Sequence, residues 1–224
     1  STGTKSGGFN GANGTPAERE FDDEESINYE LGIKSEWLEN TLRVNATAFQ
    51  STFEDYQTQV QQASGTGSIV SNEGDVETSG IDLNIEAVPL PILTLSAGVL
   101  YLDKAETSAG PNKGQKLTFA PEFSGTVAAT FMFPVADGGL FVRTDYSYMG
   151  EHITNTANPI EQTRKTFNAT VGWSNEDWRF SVWGKNLNDE AYSGISASTF
   201  SFSGMNAEFL TTPRTYGASV RYSF

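Results

Sequence analysis

The sequence predicts an all-β protein, an antiparallel transmembrane β-barrel or a portion of one, of the outer-membrane kind. Three observations carry this. Apolar residues alternate with polar ones in nine segments along the chain. The connections between those segments alternate between short and long. No stretch approaches the roughly 20 apolar residues that a membrane helix requires. Successive side chains of a strand point to opposite faces, so each segment has one apolar face and one polar face. A barrel strand needs only that one apolar face toward lipid.

The segments follow in order. Ile27, Tyr29, Leu31 and Ile33 oppose Asn28, Glu30, Gly32 and Lys34. Leu42, Val44, Ala46 and Ala48 oppose Arg43, Asn45 and Thr47. Ile81, Leu83, Ile85 and Ala87 oppose Asp82, Asn84 and Glu86, and Leu93 through Tyr101 repeat the pattern against Thr94, Ser96 and Gly98. Phe123, Val127, Ala129, Phe131 and Phe133 oppose Ser124, Thr126, Ala128 and Thr130. Leu140, Val142, Tyr146 and Tyr148 oppose Arg143, Asp145 and Ser147, with Phe141 breaking the polar row. Phe167, Ala169, Val171 and Trp173 oppose Asn168, Thr170 and Gly172. Trp178, Phe180 and Val182 oppose Arg179, Ser181 and Lys185, with Trp183 as the exception. The last segment runs Tyr216, Ala218, Val220, Tyr222, Phe224 against Gly217, Ser219, Arg221 and Ser223. A helix would space its apolar residues three and four apart, not two.

The short connections (Trp37 to Asn40, Pro89 to Pro91, Pro134 to Asp137, Ser174 to Asp177) hold Pro, Asn and Asp, residues of tight turns. The long ones lie around Gln61 to Glu73, Thr107 to Ala120, Glu151 to Thr163 and Asp189 to Thr212. Outer-membrane barrels have short periplasmic turns and long extracellular loops. The expectation is therefore that the first segment descends and that the C-terminus lies on the periplasmic side. Trp37, Phe131, Phe133, Trp173 and Trp178 gather near the short turns, and Tyr29, Tyr101, Tyr146, Tyr148 and Tyr216 toward the long loops. Two aromatic bands suit two membrane interfaces. The alternative reading is a small barrel or a soluble β-sandwich binding module with ligand-binding loops.

Composition sets limits. The 224 residues carry a formal charge of -14, which excludes an ordinary nucleic-acid surface. There is no cysteine, hence no disulfide or thiolate metal site. The polar start, STGTKSGGFNG, has no signal-peptide character. His152 is the only histidine, at the start of a long connection, and reads as a solvated loop residue. Ser147 is near it in sequence, but no acid or nucleophile-elbow motif frames the pair, so no catalytic role is expected. The acidic run Glu18 to Glu25 reads as a solvated loop, with attraction of cations or a basic ligand as the alternative. The charges of the polar rows (Arg43, Glu86, Arg143, Asp145, Arg179, Lys185 and Arg221) read as a network lining the lumen, with a solute path as the alternative.

Several stretches resemble the TonB-dependent receptors of the Gram-negative outer membrane. KSGGFN (Lys5 to Asn10) is similar to the end of a mid-barrel strand in that family. INYELGIKSEW, GDVETSGIDLNIEAVP, WGKNLNDEAY and PRTYGASVRYSF follow in the family's order, with Asp82 where Glu is common. The resemblance implies a 22-stranded barrel with an N-terminal plug. Residues 1–224 would supply about nine of its strands as the C-terminal part of the barrel, without the plug domain or the TonB box. Residues 1–25 would form an outer loop with the remnant of a preceding strand. The resemblance further implies energised uptake of a scarce bulky solute, most simply a ferric siderophore, with no enzymatic activity and no cofactor. It implies outer-membrane lipid, the barrel-assembly machinery, the siderophore, and TonB acting through the plug as partners. Gly217, Val220, Tyr222 and Phe224 would form the C-terminal signal that the assembly machinery reads.

Overall fold

The computed structural model describes residues 1–11, 15–61, 67–154, 161–197 and 207–224. In chain order the strands are β1 (Thr2–Lys5), β2 (Gly8–Phe9), β3 (Glu20–Phe21), β4 (Glu24–Trp37), β5 (Leu42–Glu54), β6 (Gln57–Gln61), β7 (Ser68–Asn72) and β8 (Val76–Leu90). There follow β9 (Leu93–Thr107), β10 (Phe123–Val135), β11 (Gly138–Ile153), β12 (Glu161–Ser174), β13 (Trp178–Lys185), β14 (Ser193–Ala197), β15 (Ala207–Leu210) and β16 (Thr215–Tyr222). Ten of them build one antiparallel sheet in the order β1-β4-β5-β8-β9-β10-β11-β12-β13-β16. Each strand thus pairs with its sequence neighbours, once the outer hairpins β2–β3, β6–β7 and β14–β15 are set aside.

The nine alternating segments are the nine longer strands of this sheet. A tenth strand, β1, precedes them at Thr2–Lys5. Its residues, TGTK, carry no apolar alternation, and only pairing of Thr2 with Ile27 and Lys5 with Glu24 reveals it. The sheet is open: among the described residues neither β1 nor β16 has a partner on its other side.

Register makes the two faces continuous, because directly paired residues of neighbouring strands share a face. Val127 lies opposite Ala97 and Tyr146, which lie opposite Ile85 and Phe167. Val182 lies between Val171 and Ala218. The apolar face is bare: Leu31 is 78% and Val182 64% exposed, and only Ile69, Val76, Phe141 and Tyr192 form a buried hydrophobic set among the described residues. A sandwich would cover such a face with a second sheet. No second sheet covers it among the described residues, and this weighs against the soluble alternative.

The short turns are built from local chemistry. Asn175 Oδ1 accepts from the backbone N–H of Asp177 (3.1 Å) and Trp178 (2.8 Å), closing the β12–β13 turn. Leu38, Glu39 and Asn40 all adopt positive φ between β4 and β5. At this end the apolar face carries a run of ring contacts. Trp173 lies 6.2 Å from Phe180, Phe180 5.5 Å from Trp178, Trp178 4.6 Å from Tyr222, and Tyr222 6.4 Å from Phe224, centroid to centroid.

Candidate functional site: the polar face and the long-loop end

The polar face carries the charges singled out from the sequence, and it divides into two sectors. On β4, β5 and β8, Arg43 stands in direct register between Glu36 and Glu86. Its guanidinium reaches Glu36 at 2.9 Å and Glu86 at 3.1 Å. Asp82 accepts a hydrogen bond from the amide of Asn84. Arg43 is thus paired within the sheet, and carboxylates outnumber cations in this sector.

On β11, β12, β13 and β16 the arrangement differs. Asp145 accepts from Asn168 Nδ2 at 2.6 Å, and Asn168 Oδ1 accepts from the Asn186 backbone at 2.9 Å. Arg179 lies 4.1 Å from the Phe141 ring centroid, and Lys185 Nζ 5.4 Å from that of Trp183. Cations are attracted to ring faces in this way. Arg143 stands opposite Thr130 and Thr170, and Arg179 opposite Arg221. The two aromatic exceptions to the alternation have a structural reason: each lies over a glycine of the next strand. Phe141 pairs with Gly172 and Trp183 with Gly217, where a side chain would collide with the ring.

The proposed assembly-signal residues divide between faces. Val220 and Tyr222 pair with Phe180 and Trp178 on the apolar face, and Phe224 extends that stack. Gly217 lies on the polar face beneath Trp183.

At the other end of the sheet the acidic run is structural rather than merely solvated. Glu18 accepts from the backbone of Thr15 at 2.8 Å, closing a capping box on the short 3-10 turn. Asp23 accepts from Gly7 N (2.5 Å), and Glu24 from Gln57 N (2.8 Å). The buried Gln57 amide donates to the carbonyls of Lys5, Ser6 and Asp22. Asn10 accepts from Val70 N at 2.9 Å and donates to Val70 O at 2.8 Å. Two outer segments are thereby locked together. Sequence reading missed this because isolated Asn and Gln give no periodic signal.

His152 also departs from expectation. It is 4% exposed, not solvated, with Nδ1 2.7 Å from the Gly150 carbonyl and the ring 6.0 Å from that of Phe119. The cause is that β11 continues past a register shift between Met149 and His152 and turns the ring inward, where it lines a cavity of about 470 Å³ with Glu106, Lys116 and Glu161. Ser147 instead shares a hydrogen bond with Thr126 at 3.0 Å, so no Ser–His pair forms. The centres of the long connections, residues 155–160 and 198–206, lie outside the described residues.

A ten-stranded antiparallel meander with one bare apolar face, ringed by aromatics, and one charged face is a wall of a membrane-type β-barrel. A family model described as TonB dependent receptor-like, beta-barrel, matches residues 1–187, and the chain belongs to that family. It is 26% identical over 174 residues to the pesticin receptor of Yersinia pestis, covering 75% of this chain and 25% of the receptor. It is similar in structure to the ferric yersiniabactin uptake receptor of Yersinia pestis, with a TM-score of 0.83 at 23% identity, over 100% of this chain and 34% of that one. The ferric preacinetobactin receptor of Acinetobacter baumannii gives 0.69 at 22% identity, over 100% and 33%. The chain thus spans 25% of the curated relative's length.

Proposed function

We propose that residues 1–224 form part of the barrel wall of an outer-membrane receptor that takes up a ferric siderophore, energised by TonB through an N-terminal plug. The apolar face meets outer-membrane lipid and the polar face lines the lumen. The short turns are periplasmic, and the long connections face outward, where ligand would arrive. Residues 1–25 form an outer loop after the remnant of a preceding strand, and Gly217, Val220, Tyr222 and Phe224 act as the assembly signal. The observation that supports this most strongly is the structural likeness to the ferric yersiniabactin uptake receptor over all of this chain and 34% of that one, at a TM-score of 0.83. The relatives' names point to ferric siderophores as ligand class.

The test is uptake of radiolabelled iron presented on a panel of siderophores, in cells with and without the full receptor and with and without TonB. Uptake of one chelate that needs both genes is expected. Binding without TonB-dependent uptake, for every chelate, would reject the transport reading.

A further inference from the structure

Beyond the register shift between Met149 and His152, the end of β11 carries a buried polar atom with no partner. His152 is 4% exposed, and its Nε2 has no hydrogen bond. Its Nδ1 lies 2.7 Å from the Gly150 carbonyl, which can only accept, so Nδ1 carries the hydrogen of that contact. In the neutral ring Nε2 then presents a lone pair that nothing among the described residues satisfies. Buried polar atoms are paired as a rule, and an exception asks for an explanation.

The ring lines the cavity of about 470 Å³ at the long-loop end of the sheet. Five carboxylates line the same cavity: Asp103, Glu106, Glu122, Glu151 and Glu161. None of them enters an ion pair among the described residues. Of the two cations there, Lys104 is engaged by Glu77 at 3.1 Å, which leaves Lys116. Phe123 and Tyr148 add two rings whose centroids lie 5.9 Å apart. Carboxylates, ring faces and a lone pair share one preference, a cationic N–H donor. A metal ion suits the cavity less well, because no three His, Asp or Glu side chains converge to hold one among the described residues.

We infer that this cavity is a recognition site for a primary ammonium group on a small solute. The carboxylates supply the attraction, the rings a surface for the cation, and Nε2 of His152 the acceptor that fixes the ammonium in place. A volume of this order fits a small molecule rather than a folded protein surface. Such a site would act whether or not the solute carries iron.

The test is a saturation-transfer NMR titration of the full receptor, purified in a non-ionic detergent, with diaminopentane as probe and pentanediol as its uncharged counterpart. The diamine should bind saturably and the diol should not. The double variant Glu106→Gln/Glu161→Gln should weaken diamine binding by roughly tenfold or more, as loss of charge-assisted contacts does. Glu25→Gln/Glu54→Gln removes the same two charges from a directly paired position outside the cavity, and it should leave binding within about twofold of the parent, as expected where no contact is lost. His152→Phe keeps a ring and removes the acceptor, and should also weaken binding. The site is rejected if the diamine does not bind, if the diol binds equally, if the Glu25/Glu54 pair matters as much, or if His152→Phe changes nothing. Diamine binding in a receptor that takes up no ferric chelate would reject the siderophore reading alone. Chelate uptake by a receptor that does not bind the diamine would reject the ammonium site alone.

Discussion

A β-carbon built on Gly217 would lie 2.2 Å from Cζ2 of Trp183, and one on Gly172 2.4 Å from Cζ of Phe141. Each glycine therefore makes room for the ring of its cross-strand partner, and each ring in turn supports a cation. Overpacking of this kind costs about 1–3 kcal/mol. We expect Gly217→Ala to destabilise the assembled receptor by that order and to shift Trp183 fluorescence. Gly139→Ala, where the nearest atom lies at 3.8 Å, should stay within about 0.5 kcal/mol. Urea unfolding in lipid vesicles separates the two, and equal effects would mean that the ring does not depend on the glycine. The face assignment is testable at one adjacent pair. Arg at Val182, on the apolar face, should cost roughly 2–4 kcal/mol near the bilayer midplane. Arg at Ser181, on the polar face, should cost clearly less. The opposite order would invert the register.

At the scale of elements, what could be read from sequence followed the period. The longer strands each repeat apolar residues at every second position over much of their length, and that repeat alone located them. The bounds of β1 could not be read, because Thr2, Gly3 and Thr4 have no apolar alternation and only their pairing with β4 fixes them. β6 and β7 escaped because QTQVQ and SIVSN are only five residues each and carry no sustained apolar alternation. His152 was misjudged because a register shift changes which way a side chain points, and sequence parity does not register a bulge. The outer extensions are held by polar side chains, so they should loosen independently of the sheet. Gln57→Ala removes donors to three backbone carbonyls. Leaving buried groups unpaired costs about 1–3 kcal/mol. Hydrogen exchange should quicken in β6 and β7 and remain unchanged in β8; uniform quickening of both would show that the hairpin is not a separate unit. Topology is open to a direct check, since the chain lacks cysteine. A single cysteine at Lys113, in the β9–β10 connection, should react with an impermeant maleimide on intact cells. One at Glu176, in the β12–β13 turn, should not, and the reverse pattern would turn the barrel over.

At the scale of the molecule, the decisive feature is that the sheet has two free edges among the described residues. β1 covers only the first residues of β4, so much of β4 up to Trp37 presents unpaired backbone on one side, and β16 does the same along its outer side. In hydrocarbon each unsatisfied backbone group costs several kcal/mol, so only a closed barrel removes the penalty. Residues 1–224 produced alone should therefore not insert as a pore. They should associate through their edges and give neither ion conductance nor siderophore binding. The full receptor should bind and assemble, and here the C-terminal residue offers a sharper distinction. Phe224 ends the ring stack that runs through Tyr222 and Trp178 at the short-turn end. Its deletion should lower the fraction of full receptor that assembles, read as heat-modifiable mobility. Ligand affinity of the molecules that do assemble should remain unchanged, because the long connections lie at the other end of every strand. Unchanged assembly would argue against an assembly role for Phe224. A monodisperse, water-soluble, ligand-binding monomer from residues 1–224 would reject the barrel-wall account altogether, since its bare apolar face would then have to be covered by something other than lipid.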